Sequence, residues 1–318
     1  MDFYAGLVWK QSKQSWPQVQ ETARSFEQHI KSTWPLYHEE IRGIADGSGR
    51  DLLDIVALNV RTEIAFGLFS DGCTSLSWHG EKGAKLGQNW DWMPEQKQNL
   101  IILRIKGDGE RPSIATVTEA GIIGKIGFNA NGVGVCLNAI RTKGCNPEKL
   151  PVHFGLRMAL ESRSAAEAAD RMQAIGMASS AHILIADDKE AIGFEFTATT
   201  FARLPMDSNN CVVHSNHLLG VHPDVYEPGW LEDSPLRVDT MNGLVTKLAQ
   251  KQSEPSLEEF SSLFKDETNY PAAICRKLEG ESYAETLFNI VMDLKDKTAV
   301  VKLGRPVAVD ETVNLRCL

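Results

Sequence analysis

The sequence predicts an α+β protein in which helices cover antiparallel β-sheets. The first 70 residues have mostly helical patterns, the middle of the chain is a series of strand pairs, and helices return before the closing strands. Hairpins outnumber strand–helix–strand units, which argues against a doubly wound parallel sheet. No repeat, low-complexity tract or linker divides the 318 residues, and a chain of this length can form one large domain.

Four stretches have apolar residues at helical spacing. The first, residues 16–44, contains Pro35, which is expected to begin a second helix or kink the first. The second, residues 50–68, is strongly apolar and has an aspartate near its start. Residues 153–176 predict one long helix that ends at its last glycine, and residues 234–266 are again helical.

Strand patterns begin after Gly72 and continue towards the C-terminus. Asn131–Gly132 is a strong turn signal between two strands, and residues 187–190 turn a second hairpin. The strand-rich segments are 73–78, 84–92, 99–107, 113–121, 121–140, 180–205, 211–217 and 283–306.

Charge and composition exclude several classes of function. The net charge is −9 at pH 7 and no basic stripe is visible, which argues against a nucleic-acid partner. No apolar run approaches the ~18 residues of a membrane helix, and the first residues do not resemble a signal peptide. The six cysteines are far apart, and residues 316–318 match a peroxisomal address poorly. We therefore expect reduced thiols and a cytoplasmic location.

Cys73 lies between Gly72 and Thr74, where the helical pattern changes to strands. A buried structural thiol is the ordinary interpretation of such a cysteine. The catalytic alternative uses the tolerance of glycine for strained geometry: the Cys73 thiol attacks the Gly72 carbonyl, and cleavage leaves Cys73 as a new N-terminus. Its α-amine has a reference pKa of about 7.7–8.0, which suits a general base at neutral pH, so no histidine is required.

Two later residues can assist such a nucleophile. Asp91 is one hairpin away from Cys73, so adjacent strands should bring its carboxylate to the new amine. The ordinary alternative for Asp91 is an acid on the wet face of a strand. Asn216, in the motif HSNH, has a side-chain amide that can donate to an oxyanion.

The histidines near Asn216 offer two other hypotheses, which the sequence disfavours. A metal site would use His214, His217 and His222, but strand residues three apart lie on opposite faces and no helical H-E-x-x-H spacing occurs. A papain-like pair of Cys73 with His214 or His217 lacks the expected signature around the cysteine. We therefore expect no bound metal.

Two further motifs have simple alternatives. Arg276, in ICRKLEG, is either a surface arginine or a fork for a substrate carboxylate. The motif GIIGKIG at residues 121–127 has G-x-x-G-x-x-G spacing and no following helix. It is therefore not a dinucleotide-binding loop.

Taken together and in order, these stretches resemble one known family. The collinear stretches include WPLYHEEIRGIA, LNVRTEIAFGL, DGCTS, GQNWDW, TEAGIIGKIGFN, HSNH, NYPAAICR and TLFNIVMDL. They are similar to the acyl-coenzyme A:6-aminopenicillanic acid acyltransferase (isopenicillin N acyltransferase) family, which is peptidase family C45 of the N-terminal-nucleophile (Ntn) hydrolases. The similarity runs over nearly the whole chain, although this chain starts within what should be the first long helix.

The resemblance implies a four-layer αββα sandwich and autoproteolysis between Gly72 and Cys73. The products would be an α piece, residues 1–72, and a β piece, residues 73–318, which together form one domain and remain associated as a heterodimer. Cys73 would be the nucleophile, and the backbone N–H of Thr74 would contribute to the oxyanion site.

The same resemblance implies roles for four more residues. Asp91 would orient the amine of the nucleophile, and the Asn216 amide would hold the oxyanion. Arg276 and Thr197 would bind the substrate. Thr197 stands where the family has a serine, so a hydroxyl is kept at this position.

These implications lead to one expected function and one alternative. We expect an N-terminal cysteine amidohydrolase or acyltransferase that cleaves or transfers an acyl group of a small amide or acyl thioester through acyl-Cys73. No cofactor is expected, although acyl-coenzyme A can serve as a co-substrate. The alternative is a catalytically inactive, unprocessed relative that acts as a binding or scaffold protein.

Overall fold

The computed structural model describes residues 1–65, 72–229, 231–251, 254–280 and 282–318. Two antiparallel β-sheets face each other, and helices pack on both outer surfaces. This arrangement confirms the αββα sandwich expected from the sequence.

The helices and strands of the described residues are as follows. The helices are α1 (Asp2–Ser12), α2 (Trp16–Thr33), α3 (Pro35–Ser48), α4 (Leu52–Asn59), α5 (Arg61–Ala65), α6 (Val152–Leu160), α7 (Ala165–Ile175), α8 (Ser234–Ala249) and α9 (Leu257–Leu263). The strands are β1 (Gly72–Gly80), β2 (Gly83–Trp92), β3 (Leu100–Ile105), β4 (Ile114–Glu119), β5 (Ile126–Asn129), β6 (Gly134–Ala139), β7 (Ala181–Ala186), β8 (Ala191–Phe196), β9 (Phe201–Leu204), β10 (Cys211–His214), β11 (Glu285–Asp293), β12 (Thr298–Arg305) and β13 (Ala308–Arg316). None of these helices combines the length and the apolar character needed to cross a bilayer.

The order of the strands places β1 between segments that are far apart in sequence. The seven-stranded sheet runs from β3 to β9 in chain order, as a meander. The six-stranded sheet has the order β10-β1-β2-β11-β12-β13. Along the chain, the β1–β2 hairpin therefore comes first and the strands of the other sheet follow. Strand β10 then pairs with the edge of β1 that β2 does not occupy.

Apolar surfaces hold the four layers together. Strands β1 and β2 of one sheet contact β6 of the other, while α6 and α7 cover the outer face of the seven-stranded sheet. Helices α8 and α9 cover the six-stranded sheet through a separate apolar cluster that includes Met241, Phe260 and Phe264. Burying such side chains contributes about 1.5–3 kcal/mol each, which fixes α8 over β1 and β10.

Several local predictions are confirmed, and one is wrong. Pro35 begins α3, and the Asn131–Gly132 turn joins β5 to β6 with Gly132 at φ 86°. The single helix expected over 153–176 is two helices, because Ser164 caps α7 by accepting a hydrogen bond from the backbone N–H of Glu167 at 3.1 Å. The end of the helix predicted over 50–68 lies outside the described residues.

The glycines of GIIGKIG have a packing role. The motif leads into β5 and not into a helix, as expected. At Gly124 a Cβ atom would lie 2.3 Å from the backbone oxygen of His153 and 2.6 Å from the backbone nitrogen of Arg157. Only glycine lets this segment approach the backbone of α6 so closely.

Candidate active site

The β1–β2 hairpin brings Asp91 to the residue before Cys73. Its antiparallel register pairs Gly72 with Asp91 and Cys73 with Trp90. Cys73 and Asp91 are both fully buried. A Cβ atom on Gly72 would lie 2.6 Å from Asp91 Oδ2 and 2.9 Å from Arg276 Nε, so the site has no room for a side chain here.

The Asp91 carboxylate is held from two sides. Thr286 lies on β11 and pairs with Asp91, and its hydroxyl donates to Asp91 Oδ1 at 2.6 Å. Arg276 Nε donates to Oδ2 at 3.3 Å. Burial raises the pKa of Asp91 above its ordinary value, against the opposing effect of Arg276 and Arg237. The carboxyl is therefore easier to protonate than an exposed aspartate.

Asn216 contacts Cys73 directly, from the segment that follows β10. Its Oδ1 accepts a hydrogen bond from the backbone N–H of Cys73 at 2.8 Å. Its Nδ2 donates to the backbone oxygen of Ala139 at 3.0 Å, and its backbone N–H donates to Ser234 Oγ at 2.7 Å. In the intact chain the amide thus presents its oxygen to Cys73, whereas the sequence prediction used its N–H₂; the oxyanion role stays a prediction.

Two residues that the sequence analysis missed hold the carbonyl oxygen of Cys73. Ser215 Oγ donates to it at 2.9 Å, and Arg237 Nη1 donates at 2.7 Å. Arg237 Nη1 also lies 3.2 Å from Thr74 Oγ1, and Nη2 donates to Asn216 Oδ1 at 3.0 Å. Arg237 thus connects α8 with β1 and with the segment after β10.

Asp233 joins the two arginines of the site. It is the residue before α8, and its Oδ2 accepts from Arg237 Nε at 2.6 Å and from Arg276 Nη2. Burial alone would raise the pKa of Asp233, but the two guanidinium groups outweigh it and lower that pKa. Two carboxylates and two guanidiniums, on Asp91, Asp233, Arg237 and Arg276, therefore balance each other around Cys73. We call these four residues the Asp91 cluster.

A cavity of about 710 Å³ reaches this cluster. Asp233 and Arg276 form part of its wall, and Leu231, Leu236 and Tyr283 supply apolar surface. A mainly apolar cavity with a few convergent polar groups is the usual form of a small-molecule site.

Thr197 takes no part in these contacts. Its hydroxyl accepts from the backbone N–H groups of Thr199 at 3.1 Å and Thr200 at 3.0 Å, so it stabilises the turn between β8 and β9. It lines a different cavity, of about 220 Å³, between α7 and this hairpin. Its substrate-binding role stays a prediction.

The histidines near Asn216 have other partners. His214 Nε2 bonds Glu195 Oε1 at 2.7 Å and its Nδ1 bonds the backbone oxygen of Ser215 at 2.8 Å, so both ring nitrogens are used. His222 bonds the other oxygen of Glu195, and His217 bonds Ser234. No group of three potential metal ligands with suitable geometry occurs within the described ranges.

The structure thus brings together Cys73, Thr74, Asp91, Asn216 and Arg276, as expected. It adds Ser215, Asp233, Arg237 and Thr286. One sequence signal for part of this addition existed: Asp233 and Arg237 are four residues apart at the start of a helix, where an ion pair is common. No local pattern connects that pair, or Thr286, with Cys73.

Comparison with known proteins gives consistent results. The family model "Acyl-coenzyme A:6-aminopenicillanic acid acyl-transferase" matches residues 78–308. A curated relative from Emericella nidulans, acyl-coenzyme A:6-aminopenicillanic-acid-acyltransferase 40 kDa form, is 44% identical over 317 residues, which cover 98% of this chain and 87% of the relative.

Three solved structures share the fold at low sequence identity. The N-acylethanolamine-hydrolyzing acid amidase ortholog of Caenorhabditis elegans is 18% identical, with a TM-score of 0.51 over 70% of this chain and 93% of that one. Penicillin V acylase from Agrobacterium tumefaciens is 9% identical, with a TM-score of 0.55 over 77% and 86%. A variant of the conjugated bile acid hydrolase from Clostridium perfringens is 14% identical, with a TM-score of 0.55 over 77% and 92%. The chain therefore has the Ntn hydrolase fold and belongs to the acyl-coenzyme A:6-aminopenicillanic acid acyltransferase family.

Proposed function

We propose that the chain cleaves itself between Gly72 and Cys73 and then hydrolyses or transfers an acyl group through an acyl-Cys73 intermediate. The observation that carries this proposal is the position of Gly72, which packs against the Asp91 carboxylate directly before the buried Cys73. Family membership supports acyl chemistry.

In the cleavage step, the Cys73 thiol attacks the Gly72 carbonyl carbon. The C–N bond to Cys73 breaks, a thioester forms, and the thiol proton ends on the Cys73 nitrogen. Water then hydrolyses the thioester and releases a Gly72 carboxylate and a free Cys73 thiol. The pKa of the neighbouring Asp91 is raised by burial, which favours a role in moving protons at this bond.

In the second reaction, the new α-amine takes the thiol proton and the sulfur attacks an external acyl carbonyl. Asn216 Oδ1, 2.8 Å from the Cys73 nitrogen, is placed to orient that amine. The second N–H of the Asn216 amide and the Thr74 N–H would stabilise the oxyanion. Acyl-Cys73 then passes its acyl group to water or to an amine.

The cavity beside Asp233 and Arg276 is our candidate for the substrate site. The name of the Emericella relative contains an acyl thioester and an amine, which supports an acyl-coenzyme A donor and an amine acceptor here. A small amide can use the same first half-reaction. The Thr197 hydroxyl already accepts two hydrogen bonds within its own turn, so we rank it after Asp233 and Arg276 as a substrate contact.

We further propose that the α piece, 1–72, stays bound to the β piece, 73–318. Buried polar contacts cross between them: Arg61 Nη1 bonds Glu119 Oε1 at 2.8 Å, and Asn59 Oδ1 accepts from the N–H of Ile123 at 2.9 Å. Glu63 Oε1 accepts from the N–H of Val152 at 2.9 Å. Such contacts do not depend on the peptide bond at Gly72.

A denaturing gel tests the proposal. The intact chain has a mass of 35.1 kDa. We expect two pieces of about 8 and about 27 kDa, because an N-terminal nucleophile requires the cut. Cys73→Ala should give one band, whereas Cys211→Ala, which alters another buried cysteine of the same sheet, should still give two.

Two outcomes would count against the proposal. A full-length chain that hydrolyses amides would overturn the N-terminal amine mechanism. A full-length chain without activity would favour the scaffold alternative. For a cleaved, active protein, the rate of acyl-thioester consumption with and without an added amine would separate transfer from hydrolysis.

A further inference from the structure

Arg237 bonds both Cys73 and Asn216, and the proposed mechanism gives it no role. Its side chain is 1% exposed and reaches from the first turn of α8 to β1. One terminal nitrogen bonds the backbone oxygen of Cys73 at 2.7 Å, the other bonds Asn216 Oδ1 at 3.0 Å, and Nε bonds Asp233 at 2.6 Å. A guanidinium is planar and rigid, so these bonds fix three elements relative to one another.

The first consequence concerns the orientation of the Asn216 amide. An asparagine side chain can present either oxygen or N–H₂ to a neighbour, but a guanidinium only donates. The atom that faces Arg237 must therefore be Oδ1. The same oxygen accepts from the Cys73 nitrogen, while Nδ2 donates to the backbone oxygen of Ala139. Arg237 and Ala139 together therefore fix the orientation in which Cys73 meets an acceptor.

The second consequence is electrostatic. The Cys73 nitrogen and Arg237 Nη2 both donate to Asn216 Oδ1, at 2.8 and 3.0 Å, so they are close neighbours. After cleavage, this nitrogen becomes an α-amine beside a buried cation. A nearby positive charge disfavours protonation of an amine, and it does so more strongly away from water.

The other charged and titratable groups around Cys73 lie on several elements. They include Asp91 on β2, Arg276 before β11, Asp233 before α8, Cys136 on β6 and His217 after β10, and also Lys125, whose Nζ lies 3.6 Å from the ring centroid of Trp90, the strand partner of Cys73. Asp91 and Asp233, which the arginines bond, oppose the effect of Arg237, whereas Arg276 and Lys125 add to it. Among these charged groups, Arg237 is the one that shares a hydrogen-bond acceptor with the Cys73 nitrogen. The pKa of His217 is lowered to about 4 by burial, by His214 and by Arg237, and the pKa of Cys136 is raised by burial, so both are neutral at pH 7.

We propose that Arg237 is a positioning residue for the nucleophile: it orients the Asn216 amide towards the Cys73 nitrogen and keeps the released α-amine in its basic form. This inference rests on the proposed function. It predicts that the amine titrates below its ordinary range of about 7.7–8.0.

The test is the pH dependence of kcat/KM for hydrolysis of an acyl thioester by the cleaved protein. In the wild type we expect the acid limb to have an apparent pKa clearly below about 7.7. Arg237→Gln removes the cation and should raise it by about one unit. Arg237→Lys keeps the charge but loses the planar guanidinium that bonds three partners at once. The pKa of the acid limb should therefore stay near that of the wild type, while kcat falls about tenfold.

Arg157→Gln is the matched control. Arg157 is also a buried arginine, but it lies on α6, which covers the seven-stranded sheet, and it bonds Glu40 and Glu161. Its loss should therefore leave the acid limb unchanged. If Arg237→Gln does not fold, the wild type still decides: nuclear magnetic resonance of isotope-labelled Cys73 gives the pKa of the α-amine directly. A value of about 8 or above would overturn the inference.

The outcomes separate this inference from the proposed function. An uncleaved wild-type chain would overturn both. A cleaved and active wild type, combined with an unchanged acid limb in Arg237→Gln, would overturn only the role of Arg237. A shift of equal size in Arg157→Gln would also overturn it, because any buried arginine would then have the same effect.

Discussion

Two buried groups of charged residues in this molecule each pair a carboxylate with two cations, but the pKa of that carboxylate is raised in one group and lowered in the other. The Asp91 cluster surrounds Cys73. The second group, which we call the Glu119 cluster, consists of Glu119, Arg61, Lys125 and His153 and lies where the helices before β1 meet the rest of the chain. Glu119 accepts from Arg61 Nη1 at 2.8 Å and from Lys125, and further from Gln96 and Tyr4.

The two carboxyl groups differ because of how their cations are shared. In the Asp91 cluster, Arg237 and Arg276 also bond Asp233, and burial wins, so the pKa of Asp91 is raised. At Glu119, burial acts in the same direction, but Arg61 and Lys125 outweigh it and lower the pKa to about 2. Glu119 thus keeps its charge to lower pH than an exposed glutamate and bonds structural partners, whereas Asp91 is easier to protonate than an exposed aspartate and lies beside the proposed reaction centre.

The largest expected effect is on stability, in Glu119→Gln. This change leaves the buried charges of Arg61 and Lys125 without their anion, and breaking a buried pair in this way costs about 3–5 kcal/mol. Urea unfolding followed by circular dichroism measures the loss. The exposed control Glu110→Gln should change stability by less than about 0.5 kcal/mol. Equal effects of the two variants would show that the Glu119 cluster is not a structural centre.

Acid should weaken the same cluster. The pKa of His153 is lowered to about 3 by burial and by Arg61 and Lys125, so protons bind the unfolded state first as pH falls below about 6.5. The pKa of Glu119 is also lowered, so its contribution is present above about 4.5 and is lost as pH falls towards about 2. Both terms destabilise in acid, by on the order of 3 kcal/mol between pH 7 and pH 4.

Urea midpoints between pH 7 and pH 4 would measure this loss. In His153→Gln, the loss above about pH 4.5 should be smaller than in the wild type, because one titrating ring is gone, while His182 and His217, whose pKa values burial also lowers, still contribute. A stability that stays constant over this range in the wild type would contradict the assignment of His153 as neutral. Size-exclusion chromatography of the cleaved protein should show the two pieces separating in acid.

The next effect is on the proposed cleavage, in Asp91→Asn. The amide keeps an oxygen for Thr286 but cannot hold a proton or balance the arginines, so we expect cleavage to slow about a hundredfold. The stability loss should be smaller than in Glu119→Gln, because Asp233 still pairs both arginines. Band intensities over time measure the rate. Folded Glu119→Gln should cleave at the wild-type rate. Slow cleavage in Glu119→Gln together with wild-type cleavage in Asp91→Asn would contradict the roles assigned to the two carboxyl groups.

The smallest expected effect is on cleavage in Gly72→Ala, which adds a methyl group at the site without changing any reactive group. In Gly72→Ala the new methyl would lie 2.6 Å from Asp91 Oδ2, so the carboxylate must move and cleavage should slow about tenfold. Gly243→Ala, in α8, meets nothing within 4 Å and should stabilise the chain by about 0.5–1 kcal/mol without changing cleavage. Equal cleavage rates in the two variants would mean that close packing at Gly72 does not matter.

The sequence predicted those contacts of the site that lie within one β-hairpin. One hairpin carries both Cys73 and Asp91, and antiparallel register follows from the turn between the strands, so their proximity was predictable. Thr197 shows the limit: its hydroxyl bonds N–H groups two and three residues further along the chain, which the sequence analysis did not indicate, and its substrate role stays a prediction. Sequence position alone does not tell which of several hydrogen-bond partners a side chain will choose.

The sequence by itself determined the fold class, most strands, the family and four residues that lie around Cys73, namely Thr74, Asp91, Asn216 and Arg276. Only the tertiary structure decided which cations face which carboxylates. Arg237 follows Cys73 by 164 positions and reaches it because α8 packs over β1, and Thr286 meets Asp91 because β11 pairs with β2. Burial and charge sharing set the pKa of a buried group, and both arise only when distant segments pack together.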